Sequence, residues 1–290
     1  MSRQTRIGGS EIAILTGMHP FGKTPLDLFK SKMELSIQKD IDAFYWGHAL
    51  EPVVLERFRQ SMEGYDIIAG PDAMTEQIEG EEPWQGTSPD GYVLNKDGIV
   101  VDIIEIKTTS MERWTKCPEE YRLQMLWNIG ITRQTHPECK GCWMPSLHNT
   151  NRYQCKYYGY DELGGDYGFN KLNNLAKEFY ENHLMTGIAP NPTKYEESVE
   201  AYRLAKGILD VTDDELDKIL YYVYALEQEE SKLEQTQANI SKIKFNLSEM
   251  MGSYSKIVYK GKTIMSRVSS HGRASYIKVN KGVQIYEHNN

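Results

Sequence analysis

Val100-Val101-Asp102-Ile103-Ile104-Glu105-Ile106-Lys107-Thr108, preceded by Ser88-Pro89-Asp90, is the stretch on which the fold turns. The run 100–108 is rich in β-branched side chains and contains neither Gly nor Pro, which is the composition of a strand. Side chains alternate across a strand, so Glu105 and Lys107 share one face while Ile104 and Ile106 point the other way. A carboxylate and an ammonium two residues apart among isoleucines are costly to bury without a partner or a metal. That cost makes the pair a site candidate. With Asp90 one hairpin upstream, the pattern suits metal-dependent cutting of a phosphodiester.

Working outward, Asn95-Lys96-Asp97-Gly98 reads as the turn of a hairpin that brings Asp90 beside this strand. The whole of 65–110 reads as β structure, with strands over 66–70, 84–94 and 99–109. Upstream, Ser10 caps a short helix that ends at Gly17. Thr24-Pro25 opens a second helix, with Pro at the first helical position. A long helical pattern runs from Asp42 to about Met62 and contains Pro52. Downstream, helix resumes over 118–131. Strands follow near 141–147 and 153–160, then a helix over 167–186 and the punctuation Pro190-Asn191-Pro192. This order predicts an α/β fold: a mixed central sheet flanked by helices over 1–192. The remainder, 193–290, is a helical and β extension. Within it Ile219, Leu226, Leu233, Ile240 and Leu247 recur every seven residues, which predicts a long helix with a narrow apolar stripe. Such a helix lies on its own domain, pairs in a helical hairpin, or self-associates as a coiled coil. The tail after 254 reads as short strands with a turn at 260–262.

The composition is that of a globular chain, 40% apolar and 26% charged over 290 residues. No apolar run approaches the roughly 20 residues that span a bilayer, and the first residues lack a signal-like apolar stretch. The four cysteines form no dense framework, so a reducing cytoplasm is the expected home. A net charge of −8 argues against a general nucleic-acid coat protein but not against a nuclease, whose site needs carboxylates.

Glu51 is the third carboxylate in the set. On a helix it shares a face with His48, three residues before it. Alone it would read as a solvated surface residue, just as Pro89-Asp90-Gly91 alone would read as a plain β-turn. Three carboxylates from different elements plus a lysine meet the needs of Mg²⁺, a hard ion that prefers oxygen ligands and keeps several waters. Such an ion generates hydroxide and shields charge on a scissile phosphate; Mn²⁺ would serve as well.

The ordered set resembles the YqaJ-type viral recombinase family, the relatives of phage lambda exonuclease, within the PD-(D/E)xK nucleases. The matching segments are Arg3-Gln4-Thr5-Arg6-Ile7-Gly8-Gly9-Ser10-Glu11, Trp46-Gly47-His48-Ala49-Leu50-Glu51, Ser88-Pro89-Asp90-Gly91, Ile104-Glu105-Ile106-Lys107 and Tyr121-Arg122-Leu123-Gln124. The resemblance implies a restriction-endonuclease-like fold. It implies Asp90, Glu105 and the backbone carbonyl of Ile106 as metal ligands, with Glu51 at the metal from its helix. Lys107 would position the attacking water, and Gln124 would support the site or touch the DNA backbone, with Tyr121 a weaker candidate on the same helical face. Arg3 and Ser10, seven apart, would bind a terminal 5′-phosphate, with Arg6 a competing candidate for the arginine.

The implied activity is 5′-to-3′ exonucleolytic digestion of linear duplex DNA that leaves a 3′ single strand. An annealing protein would be the partner, in a phage or prophage setting inside a bacterial host. An endonuclease or nickase on the same fold, or a non-catalytic DNA-binding or interaction module, are the other classes. The extension could block or replace a family oligomer interface, so a homo-oligomer stays open. His136, Cys139 and Cys142 have metal-like spacing, but cysteines placed in strands read better as buried thiols. Tyr153, Tyr157, Tyr158 and Tyr160 could stack on bases, although strand packing accounts for them.

Overall fold

The structure is a computed structural model that describes residues 5–35, 42–69, 78–149, 151–201, 212–259, 261–270 and 273–280. The chain divides into two compact units, Met1–Ala205 and Lys206–Asn290. Among the described residues, no helix is long and apolar enough to cross a membrane.

The first unit is built on a mixed sheet. Its strands are β1 (Asp66–Ala69), β4 (Gly91–Leu94), β5 (Val100–Ile104), β6 (Lys107–Thr109), β7 (Gly141–His148) and β8 (Arg152–Gly159). β1, β4 and β5 run antiparallel in that order. β5 and β6 both pair in parallel with β7, and β8 closes the other side of β7 antiparallel. Two short strands, β2 (Ile78–Glu79) and β3 (Gly86–Thr87), form a separate ribbon.

Period-two alternation divides the sheet's side chains between two cores. Val93, Ile104 and Ile106 join Val54, Leu55 and Phe58 of α3 (Asp42–Arg59). Tyr92, Ile103 and Met144 join the opposite core. That second core is supplied by α1 (Gly9–Leu15), α2 (Pro25–Lys32), α4 (Glu119–Thr135) and α6 (Gly165–Phe179). The mixed sheet flanked by helices is therefore as the sequence predicts. Trp127 of α4 is fully buried, and its indole N–H is shared between the carbonyls of Ile7 at 3.2 Å and Gly86 at 3.1 Å. This one side chain pins the N-terminal segment to the β ribbon. α4 and α6 meet at Gly130, where an added Cβ would lie 2.2 Å from the Phe169 ring. A side chain there would force the helices apart.

Several expected elements are placed differently. The run 99–109 is not one strand but two, broken at Glu105 and Ile106. The register nonetheless carries through: Ile104 faces Trp143 and Lys107 faces Ser146, the same offset on both sides of the break. The break arises because the Ile106 N–H goes to the Asp90 carboxylate instead of to a neighbouring strand. The run 84–94 likewise splits into β3 and β4, with Trp84 in a turn. Ser10 is not the cap of α1. Gly8 is, and the Glu11 carboxylate accepts its N–H at 2.8 Å. Glu11 also binds Lys32 at 2.7 Å, which fixes where the helix starts. The helix expected over 167–186 is α6, continued by a π-turn at Tyr180–Leu184. The end of the strand expected over 153–160 opens a separate short helix, α5 (Tyr160–Leu163), set off from α6 by Gly164 and Gly165, both at positive φ. By contrast, Thr24 caps α2 ahead of Pro25, and Asn95 closes its turn with Gly98 at φ 76°.

Within the first unit, α7 (Tyr195–Ala201) is tied to the cap of α2 by Glu197 on the Thr24 hydroxyl and by Lys194 on the Gly22 carbonyl. The second unit holds α8 (Asp213–Met251) and an antiparallel sheet of β9 (Lys256–Tyr259), β10 (Lys262–Ser270) and β11 (Arg273–Val279). This is the long helix and β tail expected from the sequence.

Candidate active site

The break between β5 and β6 is where the candidate side chains converge. Asp90 sits at the bend before β4, its N–H donating to the Ile104 carbonyl at 3.0 Å. The next residue must be small: a Cβ on Gly91 would lie 2.7 Å from the Ala69 Cβ and 2.9 Å from the Ile68 carbonyl. The Asp90 carboxylate then reaches the next strand and accepts the Ile106 N–H at 2.5 Å. Ile106 is thus held by its N–H on Asp90, with its side chain in the α3 core.

Glu105 is 3% exposed and fully engaged. One carboxylate oxygen accepts Lys107 Nζ at 2.6 Å and the Gln124 amide. The other accepts Asn128 Nδ2 at 3.1 Å. Lys107 Nζ donates also to Gln124 Oε1 at 3.0 Å and lies 4.9 Å from the centre of the Tyr121 ring. Glu105, Lys107 and Gln124 therefore form a closed ring of hydrogen bonds. The partners from α4, Tyr121, Gln124 and Asn128, recur at three and four residues and so share one helical face.

Glu51 lies on α3 and bonds His48 Nδ1 at 3.2 Å. It sits at the margin of the cluster, where its charge still helps to raise the Asp90 carboxyl. Burial first, then the charge of Glu105, pushes that carboxyl well above the ordinary range. Lys107 moves up too: burial pulls against its charge, but Glu105 and Asp90 outweigh burial. Lys107 is thus a fixed ammonium and a hydrogen-bond donor.

This donor set fits a hard divalent cation. Asp90, half-buried, and Glu105, buried, are two carboxylates offset by the single Lys107, with Glu51 adding negative charge nearby. Among the described residues, no three His, Cys, Asp or Glu side chains cluster closely enough to hold a metal alone. An ion seated here would complete its shell with the Ile106 backbone oxygen and water, which is how Mg²⁺ is commonly held.

The other expected residues fall elsewhere. Arg3 lies outside the described residues, so the Arg3 and Ser10 pair has no geometry here. Ser10 is exposed in the first turn of α1. Arg6 is buried, and its guanidinium pairs with Glu79. Cys139 and Cys142 are fully buried free thiols, and burial holds the Cys139 thiol up at about 12. Tyr158 and Tyr160 are packed in the core, whereas Tyr157 is 40% exposed and donates to Asp102 at 3.0 Å.

Asn128 is the residue that sequence reasoning missed. It is 1% exposed, its Oδ1 has no hydrogen-bond partner among the described residues, and a Cβ on Gly9 would lie 2.1 Å from that oxygen. It therefore wedges between Glu105 and the backbone of α1. The available signal was its position four residues after Gln124, on the same helical face. Asn128→Ala is expected to lower stability by about 1–3 kcal/mol. It should also weaken divalent-cation binding roughly 10–100-fold, because Glu105 loses a fixed orientation. The shift of the melting temperature with Mg²⁺ concentration measures this; an unchanged Mg²⁺ midpoint would rule the role out.

Comparison with known proteins adds the following. Residues 1–135 match the family of the YqaJ-like viral recombinase domain, a segment that contains Glu51, Asp90, Glu105, Lys107 and Gln124. No curated protein matches the chain. Among solved structures, the chain is similar to an alkaline exonuclease (LHK-Exo) from Laribacter hongkongensis, with 19% identity over 70% of this chain and 96% of that one, at a TM-score of 0.47. The complex of that protein with dAMP gives the same values.

Proposed function

We propose that the chain is a Mg²⁺-dependent exonuclease, able also to use Mn²⁺, that digests linear double-stranded DNA from 5′ to 3′ and leaves a 3′ single strand. The observation that carries the reading is the Asp90–Glu105–Lys107–Gln124 cluster at the broken strand, half-buried around a buried Glu105. The match of residues 1–135 to the YqaJ-like viral recombinase domain supports the choice of DNA as substrate. The polarity, and a single-strand annealing protein as the partner that takes up the product, rest on the resemblance of the sequence segments alone.

Asp90, Glu105 and the Ile106 carbonyl would hold the cation, with Glu51 beside it. Once bound, the ion supplies a water of lowered pKa and offsets the charge that builds on the phosphate. Lys107 is kept protonated by its two carboxylates. It therefore donates to a water or a phosphate oxygen and fixes its position; it does not take up a proton. Gln124 holds Lys107 and Glu105 in register by bonding both. Asn128 sets the second oxygen of Glu105. Arg3 and Ser10 would receive the terminal 5′-phosphate.

Digestion of linear duplexes carrying 5′-phosphate or 5′-hydroxyl ends tests this, with a covalently closed circle alongside. Mg²⁺-dependent loss of the linear DNA, faster from 5′-phosphate ends, is expected. EDTA should abolish it, and Lys107→Ala should slow it by about 10²–10⁴-fold, the usual range when a positioned proton donor or charge stabiliser is removed. Cutting of the circle would move the assignment to an endonuclease or nickase. DNA binding without cleavage of any substrate would leave a non-catalytic binding module.

A further inference from the structure

The long helix of the second unit is built to meet a partner. α8 runs from Asp213 to Met251, 39 residues, or about 58 Å at 1.5 Å per residue. Its N-terminus is secured by a capping box, in which Thr212 N–H donates to the Glu215 carboxylate at 3.0 Å. Its C-terminus stops at Gly252, at φ 52°. Burial by its own unit is confined to the C-terminal end, where Met251 is fully covered. Along the rest, the apolar stripe faces outward: Ile219 is 44% exposed, Leu226 59%, Leu233 57% and Ile240 45%. A helix this long gains little from propensity alone, and an apolar seam repeating every seven residues is satisfied by a second helix.

We propose that this seam is a dimer interface between two copies of the chain, with their α8 helices antiparallel. The charge pattern selects both the occupant and the direction. Acidic residues crowd the first part of the helix, with Glu227, Glu229, Glu230 and Glu234 in two turns around the single Lys232, which pairs with Glu229, whereas Lys242 and Lys244 lie beyond it. The positions three before each apolar seam residue are Val223, Glu230, Gln237 and Lys244. In a parallel pair these positions face themselves. Glu230 would meet Glu230 and Lys244 would meet Lys244, with the acidic turns of both chains side by side. In an antiparallel pair each faces a seam residue of the other copy. Lys244 then lies against Leu226 and the adjoining Glu227, Glu230 against Ile240, and Val223 against Leu247. Lys244 then has Glu227 beside it in place of a second Lys244, and Leu226, Leu233, Ile240 and Leu247 gain cover, whereas Ile219 falls opposite Met251, which is already covered.

The test uses the full chain and does not depend on nuclease activity. Sedimentation should give a dimer for the wild type across the micromolar range, and half that mass for Leu233→Glu. Far-UV circular dichroism of Leu233→Glu should fall by no more than the contribution of the 39-residue helix, so that the change of mass is read on a chain whose other elements stay folded. Orientation is read by oxidative cross-linking. Mixed Leu226→Cys and Lys244→Cys chains should cross-link to one another, and neither should cross-link to itself beyond the wild-type background. A monomeric wild type would overturn the proposal. So would an oligomer that survives Leu233→Glu, or self-cross-linking of Leu226→Cys, which would mean parallel pairing. Loss of nuclease activity with the dimer intact would count against the proposed enzyme and leave this interface standing.

Discussion

Glu105→Ala is expected to abolish metal-dependent cleavage and to destabilise the fold by about 3–5 kcal/mol, the cost of breaking one partner out of a buried ion pair. Both effects have one origin. The Glu105 carboxylate is the common acceptor for Lys107, Gln124 and Asn128. Removing it strands an ammonium whose side chain is only 17% exposed, together with two amide donors. Glu105→Gln keeps the volume and half of the acceptors, so it should be equally inactive but lose less stability. Chemical denaturation with a cleavage assay on the same samples separates the two outcomes. A fully stable Glu105→Ala protein would mean that the ring of hydrogen bonds is not structural, and a cleaving one that Glu105 is not at the reacting centre.

Asp90→Asn should do the opposite to stability while also abolishing cleavage. Asp90 is half-buried, and its carboxyl is held up by burial and by Glu105. The sign follows from linkage. A carboxyl whose folded pKa lies above the unfolded value near 3.8 binds protons more tightly in the folded chain. Its contribution to stability therefore declines as pH rises from about that value toward the folded one. Asparagine keeps an oxygen for the Ile106 N–H and removes the charge. The variant should gain about 1–2 kcal/mol at neutral pH, within the range of ordinary stabilising substitutions, and the gain should vanish near pH 4 and below. Mg²⁺ should raise the melting temperature of the wild type but not that of Asp90→Asn. A less stable Asp90→Asn protein at pH 7 would mean that the carboxylate charge is compensated in a way the site geometry does not reveal.

Much of this was legible in the chain itself because it depends on local rules. The alternation that puts Glu105 and Lys107 on one face needs only the period of a strand, and it holds across the break because the register with β7 is continuous. Thr24-Pro25 and Asn95-Lys96-Asp97-Gly98 carry their own cap and turn chemistry. The heptad of α8 is a property of spacing alone. What failed was wherever a distant partner took over a backbone or side-chain group. Asp90 captured the Ile106 N–H and split the strand, and Lys32 and Glu11 moved the start of α1 to Gly8.

By itself, then, the sequence determined the elements, the mixed sheet with its flanking helices, and the residue types of the candidate site, since periodicity and turn chemistry act within a few residues. Tertiary structure alone decided that Gln124 and Asn128 of α4 close on Glu105, and that Gly9 must lack a side chain for Asn128 to fit. It also decided that Lys107 is held as a cation by the buried Glu105 carboxylate and the Gln124 amide oxygen. Those outcomes depend on which groups are brought within hydrogen-bond reach once water is excluded, and exclusion is set by the packing of α1 and α4 over the sheet.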